Sequence, residues 1–287
     1  MGAGQEREAH VEAFRDVVLG RAQPDLLEAA VQIAAPEYPE LRLSSIQGQL
    51  DAWARAARAR GQTIHDVPRT PALLASVCHV LFREVGLRGN RDDYGDPRNS
   101  FLNEVVDRRL GLPISLSVLF LEVAARVGLT AHGVAFPGHF LARVEDPAAP
   151  GSFVVVDSFG GGSILGVADL SELLAKVAGK GAGLVPSLLA PAPVLGILVR
   201  MLRNLKATYT DRDDWSRAIL AQERILVLTP DEPGEIRDHG LLLARVDEPG
   251  SAVRQLERYL ALSPTASDAA DIRRTVSALR QHGFNVQ

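Results

Sequence analysis

Phe136-Pro137-Gly138-His139-Phe140 is the stretch on which the fold turns. A histidine stands between two aromatic residues, just past a Pro-Gly turn, and the alternating run Phe140-Leu141-Ala142-Arg143-Val144-Glu145 follows it. This pattern places His139 at the start of a strand, held by backbone on a sheet. Upstream lies one strongly helical segment with Ser115 near its start; downstream, the apolar run Phe153-Val154-Val155-Val156 ends in Asp157. A small polar residue at a helix start, then an imidazole, then a carboxylate, each on its own element, is an arrangement that builds a nucleophilic triad. No cysteine occupies the first position.

Composition narrows the classes. The chain has 287 residues, 46% of them hydrophobic, with a mean hydropathy of +0.05, which excludes a mostly disordered chain and leaves room for one large domain or two smaller ones. A formal net charge of -4 and a pI near 6.0, with no run of Lys or Arg, disfavour nucleic acid as a partner. The first residues lack the basic, apolar and small-residue succession of a signal peptide, and charged residues interrupt every apolar run before it reaches membrane-spanning length. A cytoplasmic protein with no membrane contact is expected. The single cysteine, Cys78, rules out an internal disulfide, and no His, Cys, Asp or Glu spacing suggests a metal site or a cofactor.

Residues 6–86 read as helices, from stripes such as Val11, Phe14, Val17 and Val18, or Leu50, Trp53, Ala54 and Ala57. Cys78 falls inside an apolar helix starting near Pro71, a setting that suits a core residue and not a reactive thiol. The polar run Arg91 to Ser100 reads as a loop, with Asp96-Pro97 or Ser100 capping the helix after it. Gly111 reads as that helix's stop, and Pro113 as the first residue of a nearly all-apolar helix reaching Val127. Ser115, in its first turn, reads either as a capping hydroxyl, the commoner case, or as a nucleophile supported by helix amides. Val134 to Val144 and Phe153 to Val156 read as strands, and Gly160-Gly161-Gly162 as a flexible run without the Lys-Ser/Thr ending of a phosphate loop. Gly179-Lys180-Gly181-Ala182-Gly183 with Pro186, Pro191 and Pro193 reads as a linker.

Beyond the linker a repeat emerges. Residues 215–230 align with 249–264 at an offset of 34, matching Ala218 with Ala252, Glu223 with Glu257, Arg224 with Arg258, Leu226 with Leu260 and Pro230 with Pro264. Arg203 pairs with Arg237 at the same offset. This is the tetratricopeptide period.

The segments Asp92-Asp93-Tyr94-x-Asp96-Pro97-x-Asn99-Ser100-Phe101-Leu102-Asn103-Glu104-Val105, Arg109-x-Gly111-Leu112-Pro113-Ile114-Ser115-Leu116, Phe136-Pro137-Gly138-His139-Phe140 and Asp157-x-Phe159-x-Gly161-Gly162 together resemble the bacterial transglutaminase-like family with a tetratricopeptide tail, filed under the Sir-B-one name after an invasion-gene regulator. The resemblance implies an α+β, mostly helical fold: a papain/transglutaminase-like core with a small antiparallel sheet, then helical hairpins. Its catalytic histidine and aspartate positions fall on His139 and Asp157, and its nucleophile position falls near Ser115. The expected division is 1–90 as a helical region packed on the core, 91–180 as the core and 193–287 as the repeats.

Two functions follow. A scaffold lacking the nucleophilic cysteine would bind a protein or peptide through the repeat tail or the groove near His139, a regulatory role being among those open to it. The alternative is a serine-dependent amidase, peptidase or acyl-transfer enzyme using Ser115, His139 and Asp157. The scaffold is favoured: a serine hydroxyl needs both a bonded base and an oxyanion hole, and the tetratricopeptide tail is a protein- or peptide-binding architecture. Asp96, Asn99, Asn103, Phe136 and Phe159 are the candidate binding residues along the rim.

Overall fold

A computed structural model of the chain describes residues 3–22, 24–179, 181–246 and 248–283; Lys180 of the expected linker and residues 284–287 of the expected tail lie outside these. The chain divides into two compact units, Gln23–Met201 and Met1–Ala22 with Leu202–Gln287, here the core unit and the repeat unit. This differs from the expected 1–90, 91–180 and 193–287. The first helix, α1 (Ala3–Leu19), groups with the C-terminal helices. An amphipathic stripe shows that a face is buried and is silent on what buries it.

The core unit begins with α2 (Leu26–Ala34), capped by Asp25, whose carboxylate accepts from the Glu28 amide at 2.8 Å. Next come α3 (Leu43–Gly61) and α4 (Arg69–His79), the latter running on into a π-helical turn, Val80–Glu84. A two-residue strand, β1 (Arg88–Gly89), pairs in parallel with β2 (Leu110–Gly111), and α5 (Leu102–Arg108) lies between them in sequence. Arg109, at φ 62°, ends α5 in the left-handed conformation, so Gly111 is a strand residue and not the helix stop. Helix α6 (Pro113–Val127) follows and ends at Gly128 with φ 91°.

Twelve residues of α6 are buried, and it packs against α3, α4, β3 and β4. Its first proline suits this place, since an N1 residue has no intrahelical use for an N–H. The antiparallel sheet has the order β3 (Ala131–Val134), β4 (Leu141–Glu145), β5 (Phe153–Asp157) and β6 (Ser163–Leu165). The expected long strand Val134 to Val144 is therefore two strands, with Val134 opposite Leu141. Pro137 has no N–H to give a ladder and Gly138 takes φ +67°, so the chain turns there and carries His139 on the turn, not on a strand.

The glycine run is a turn as well. Gly161 and Gly162, at φ +75° and +77°, lead straight into β6, and a Cβ on Gly162 would lie 2.4 Å from the Phe82 ring. Helix α7 (Val167–Ala178) supplies Leu170 and Leu174 to a cluster with Val134, Phe136, Leu141, Val155 and Leu189.

The unit boundary falls within α8 (Val194–Thr210). Then follow α9 (Trp215–Leu228), α10 (Pro233–Leu243), α11 (Pro249–Leu262) and α12 (Ala269–Gly283), each packed on the next. The offset of 34 reappears as α9 and α11, both of 14 residues. Helix α1 packs on α9. Its Phe14 and Val18 are buried, the Arg224 guanidinium lies 5.4 Å from the Phe14 ring centre, and Arg224 donates to the His10 carbonyl at 3.3 Å. Among the described residues no helix is long and apolar enough to cross a membrane.

Candidate functional site

Two backbone anchors fix His139. Its amide donates to the Phe136 carbonyl at 3.1 Å, closing the Pro137-Gly138 turn. The Arg200 guanidinium donates to the carbonyls of Phe136 (3.2 Å) and His139 (2.7 Å) and lies 5.5 Å from the centre of the Phe140 ring. Burial draws Arg200 below its ordinary pKa. Nothing in the sequence singled out this arginine, because the donor lies some 60 residues from the turn it holds.

The imidazole Nε2 lies 2.9 Å from Oδ1 of Asp157, the last residue of β5. The carboxylate accepts from Nε2–H and so fixes the orientation of the ring. Oδ1 also accepts from the Phe159 amide at 3.0 Å. Burial pushes the Asp157 carboxyl up, but the hydrogen bond and charge of His139, with the amides of Gly160 and Phe159, outweigh it and hold the pKa below the usual carboxylate range. Asp157 is thus ionised at neutral pH and orients the ring.

Aromatic and cationic groups gather around this pair. The Phe159 ring stands edge-on to His139 at 6.0 Å and to Tyr94 at 6.1 Å, and Arg91 lies 4.9 Å from its centre. Gly89 of β1 backs the ring so closely that a Cβ there would sit 2.4 Å from it. Tyr94 is half exposed. Tyr94 and Arg91 lie in the polar loop the sequence marks, yet composition alone does not separate them from their neighbours.

Ser115 is elsewhere engaged. Fully buried at the third position of α6, its hydroxyl donates to the Asn99 carbonyl at 2.6 Å and accepts from the Leu112 amide at 2.9 Å. It has no hydrogen bond to His139, so the three expected triad positions do not form a bonded chain, and the hydroxyl caps its helix. Cys78 lies on α4, where burial pushes its thiol up to about 12.

The candidate binding residues separate. Phe159 borders His139, whereas Phe136 is fully buried in the cluster beneath the sheet and is a core residue. Asp96 is buried: it caps the 3-10 turn Pro97–Asn99 and pairs with Arg98 (2.8 Å) and Arg108 (3.0 Å). Burial raises its pKa and these two arginines more than reverse the effect. Asn99 is fully buried; its Nδ2 donates to the carbonyls of Asp93 (2.8 Å) and Tyr94 (3.3 Å), and its Oδ1 accepts from Asn90 Nδ2 (3.0 Å). Asn103, on α5, is buried with its Oδ1 unpaired. Asp96 and Asn99 therefore shape the loop that presents Arg91 and Tyr94.

Comparison with known proteins agrees with this architecture. A family model described as transglutaminase-like superfamily matches residues 44–203, and one described as tetratricopeptide repeat matches residues 205–277. A UPF0162 protein of Xylella fastidiosa (strain Temecula1 / ATCC 700964) is 39% identical over 251 residues, covering 86% of this chain and 87% of its own. A UPF0162 protein of Vibrio cholerae is 26% identical over 259 residues, covering 89% and 92%. F-box only protein 21 of Mus musculus is 31% identical over 147 residues, which are 50% of this chain and 22% of that one. No solved structure matches. A helix-backed sheet bearing a paired His139 and Asp157, followed by helical repeats, is what these matches span: the chain belongs to the transglutaminase-like superfamily, with a tetratricopeptide-repeat region after that domain.

Proposed function

We propose that this chain is a non-catalytic, cytoplasmic binding module in which the His139–Asp157 pair, Phe159, Tyr94 and Arg91 form a recognition surface for a protein or peptide segment. One observation carries the reading: the Ser115 hydroxyl, the expected nucleophile, is buried and committed to Asn99 and Leu112. The only thiol is raised to about 12 within α4, where little of it ionises at neutral pH. The imidazole, oriented by Asp157, offers its second ring nitrogen, Nδ1, to a polar group of the ligand. Phe159 and half-exposed Tyr94 offer aromatic faces of the kind that anchor peptides. A segment similar to half of this chain makes up 22% of F-box only protein 21 of Mus musculus, which supports the view that such a segment works as one part of a longer protein.

Treating native protein with iodoacetamide and a serine-directed fluorophosphonate, then mapping adducts by mass spectrometry, should show slow alkylation of Cys78 and an unmodified Ser115. Rapid, His139-dependent labelling of Ser115 would instead establish the hydrolase. For binding, selection of a displayed random-peptide library on the full chain should enrich sequences whose retention falls about tenfold or more, roughly 1.4 kcal/mol, on Tyr94→Ala. Retention indifferent to both Tyr94→Ala and Phe159→Ala would remove this surface from the reading.

A further inference from the structure

A cleft of about 420 Å³ opens in the core unit where the ends of α3 and α6 meet the start of α4, and it shares no residue with the His139 surface. Its floor is aliphatic. Ala72 and Leu73 of α4 and Val127, the last residue of α6, are buried there, with Ile64 and Val67 of the α3–α4 loop beside them. The floor is also fixed: a Cβ on Gly61 would lie 2.9 Å from Leu73 Cδ2, so α3 and α4 already touch. The amides of Gln62, Thr63 and Ile64 fold back onto the carbonyls of Arg58, Arg60 and Gly61, which shapes the loop wall. Val67 is 45% exposed and leaves apolar surface in water that an occupant would cover.

The charged groups of the lining carry one sign. Arg58 of α3 and Arg69, the first residue of α4, both line the cleft, and no carboxylate does; Asp66 of the loop is exposed and lies outside the lining. Arg58 donates to the Arg126 carbonyl at the end of α6, which holds one edge of the guanidinium and leaves its charge unmatched. Arg69 has no side-chain hydrogen bond or ion pair among the described residues. The nearby arginines differ. Arg60 of α3 meets Glu84 at 3.8 Å, and Arg126 of α6 meets Glu122 at 2.6 Å and Asp51 at 2.9 Å, so the acids of this region are taken up elsewhere. Two unmatched guanidinium groups on an aliphatic floor select an anion that carries an apolar chain, because charge-assisted bonds to a carboxylate are the strong ones and the chain leaves water with Val67. The size, within the roughly 300–1,000 Å³ usual for such sites, suits a small molecule.

We propose that this cleft binds a small aliphatic carboxylate, with the acid group on Arg58 and Arg69 and the chain on Ile64, Val67, Leu73 and Val127. The proposal is independent of the His139 surface. The full chain, isotope-labelled at the isoleucine methyls, reports on it through Ile64, whose signal is identified by its loss in Ile64→Val. Octanoate should shift that signal saturably. Octanamide, which keeps the chain and lacks the charge, and acetate, which keeps the charge and lacks the chain, should each bind at least about tenfold more weakly. Arg69→Gln removes a guanidinium that holds nothing else in place, and it should weaken octanoate by a similar factor while leaving octanamide unchanged. Arg58→Gln, confirmed as folded by circular dichroism, should do the same. No shift up to about 5 mM octanoate, an equal response to octanamide or acetate, an octanoate affinity unchanged in both arginine variants, or shifts spread evenly over the isoleucine methyls would overturn the site.

Discussion

Asn99→Ala should cost the core unit about 3 kcal/mol, although this residue touches no ligand in the proposed function. Three side-chain hydrogen bonds disappear at once, to Asn90 Nδ2 and to the carbonyls of Asp93 and Tyr94. Asn90 is itself 5% exposed, so its amide is stranded away from water. At about 1 kcal/mol for each bond, and more where a buried partner is left unsatisfied, the sum is a large share of an ordinary domain's stability. The Asn99 carbonyl remains, but it holds the Ser115 hydroxyl at the start of α6, so loosening the loop also loosens that cap. Denaturant unfolding of Asn99→Ala in a Trp215→Phe background, where Trp53 of α3 reports on the core unit, measures the loss. Asn99→Asp retains the acceptor but sets a buried carboxylate oxygen against the Asp93 and Tyr94 carbonyls, and should cost at least as much as Asn99→Ala. A loss below about 1 kcal/mol would show that water replaces these bonds and that the loop does not depend on Asn99.

The same residue marks how far the sequence could be read. The loop was legible from its polar composition and its Asp-Pro cap, and Asn99 stood out within it. What it bonds to was not legible, because Asn90, Asp93 and Tyr94 reach it only once the loop has closed. Helix α6 was read within one residue of its observed start, since an apolar run bracketed by Pro113 and Gly128 carries its own boundaries. His139 and Asp157 came from motif and chain order, and their 2.9 Å contact needs the register of β4 on β5. A single strand from Val134 to Val144 overruns Pro137-Gly138, where the missing N–H and a positive φ end the ladder; the alternation itself starts only at Phe140. Strands β1 and β2 are two residues each, too short for any period to reveal. Ser115 was legible as a residue and ambiguous as a role: position in the first turn permits a cap or a nucleophile, and only the direction of the hydroxyl decides between them.

No motif in the sequence singles out Glu235, and its removal should bring the other large effect. It lies in the first turn of α10 at 5% exposure, accepting from Arg203 Nε (2.6 Å), Lys206 Nζ (2.9 Å) and Gln222 Nε2 (3.0 Å). The repeat held a clue, because Arg203 reaches an acid 32 residues on and Arg237 reaches Asp268 31 residues on, so each arginine finds a carboxylate about one repeat later. Removing one member of a buried ion pair costs about 3–5 kcal/mol when the partner is stranded. Here Arg203 is half exposed and Lys206 keeps Asp238 at 2.9 Å, so Glu235→Ala should cost the repeat unit about 3 kcal/mol, the lower end of that range. Trp215, in a Trp53→Phe background, reads the change. Burial raises the Glu235 carboxyl, but Lys206, Gln222 and Arg203 outweigh it and hold the pKa below its ordinary 4.5. A carboxylate with a depressed folded pKa stabilises fully above the unfolded value and loses that contribution as pH falls through the folded one. The gap between native protein and Glu235→Ala should therefore be constant near neutrality and narrow on acidification below pH 4.5. A gap that stays constant down to about pH 3 would mean that Glu235 acts through packing alone and that its charge contributes nothing to the repeat unit.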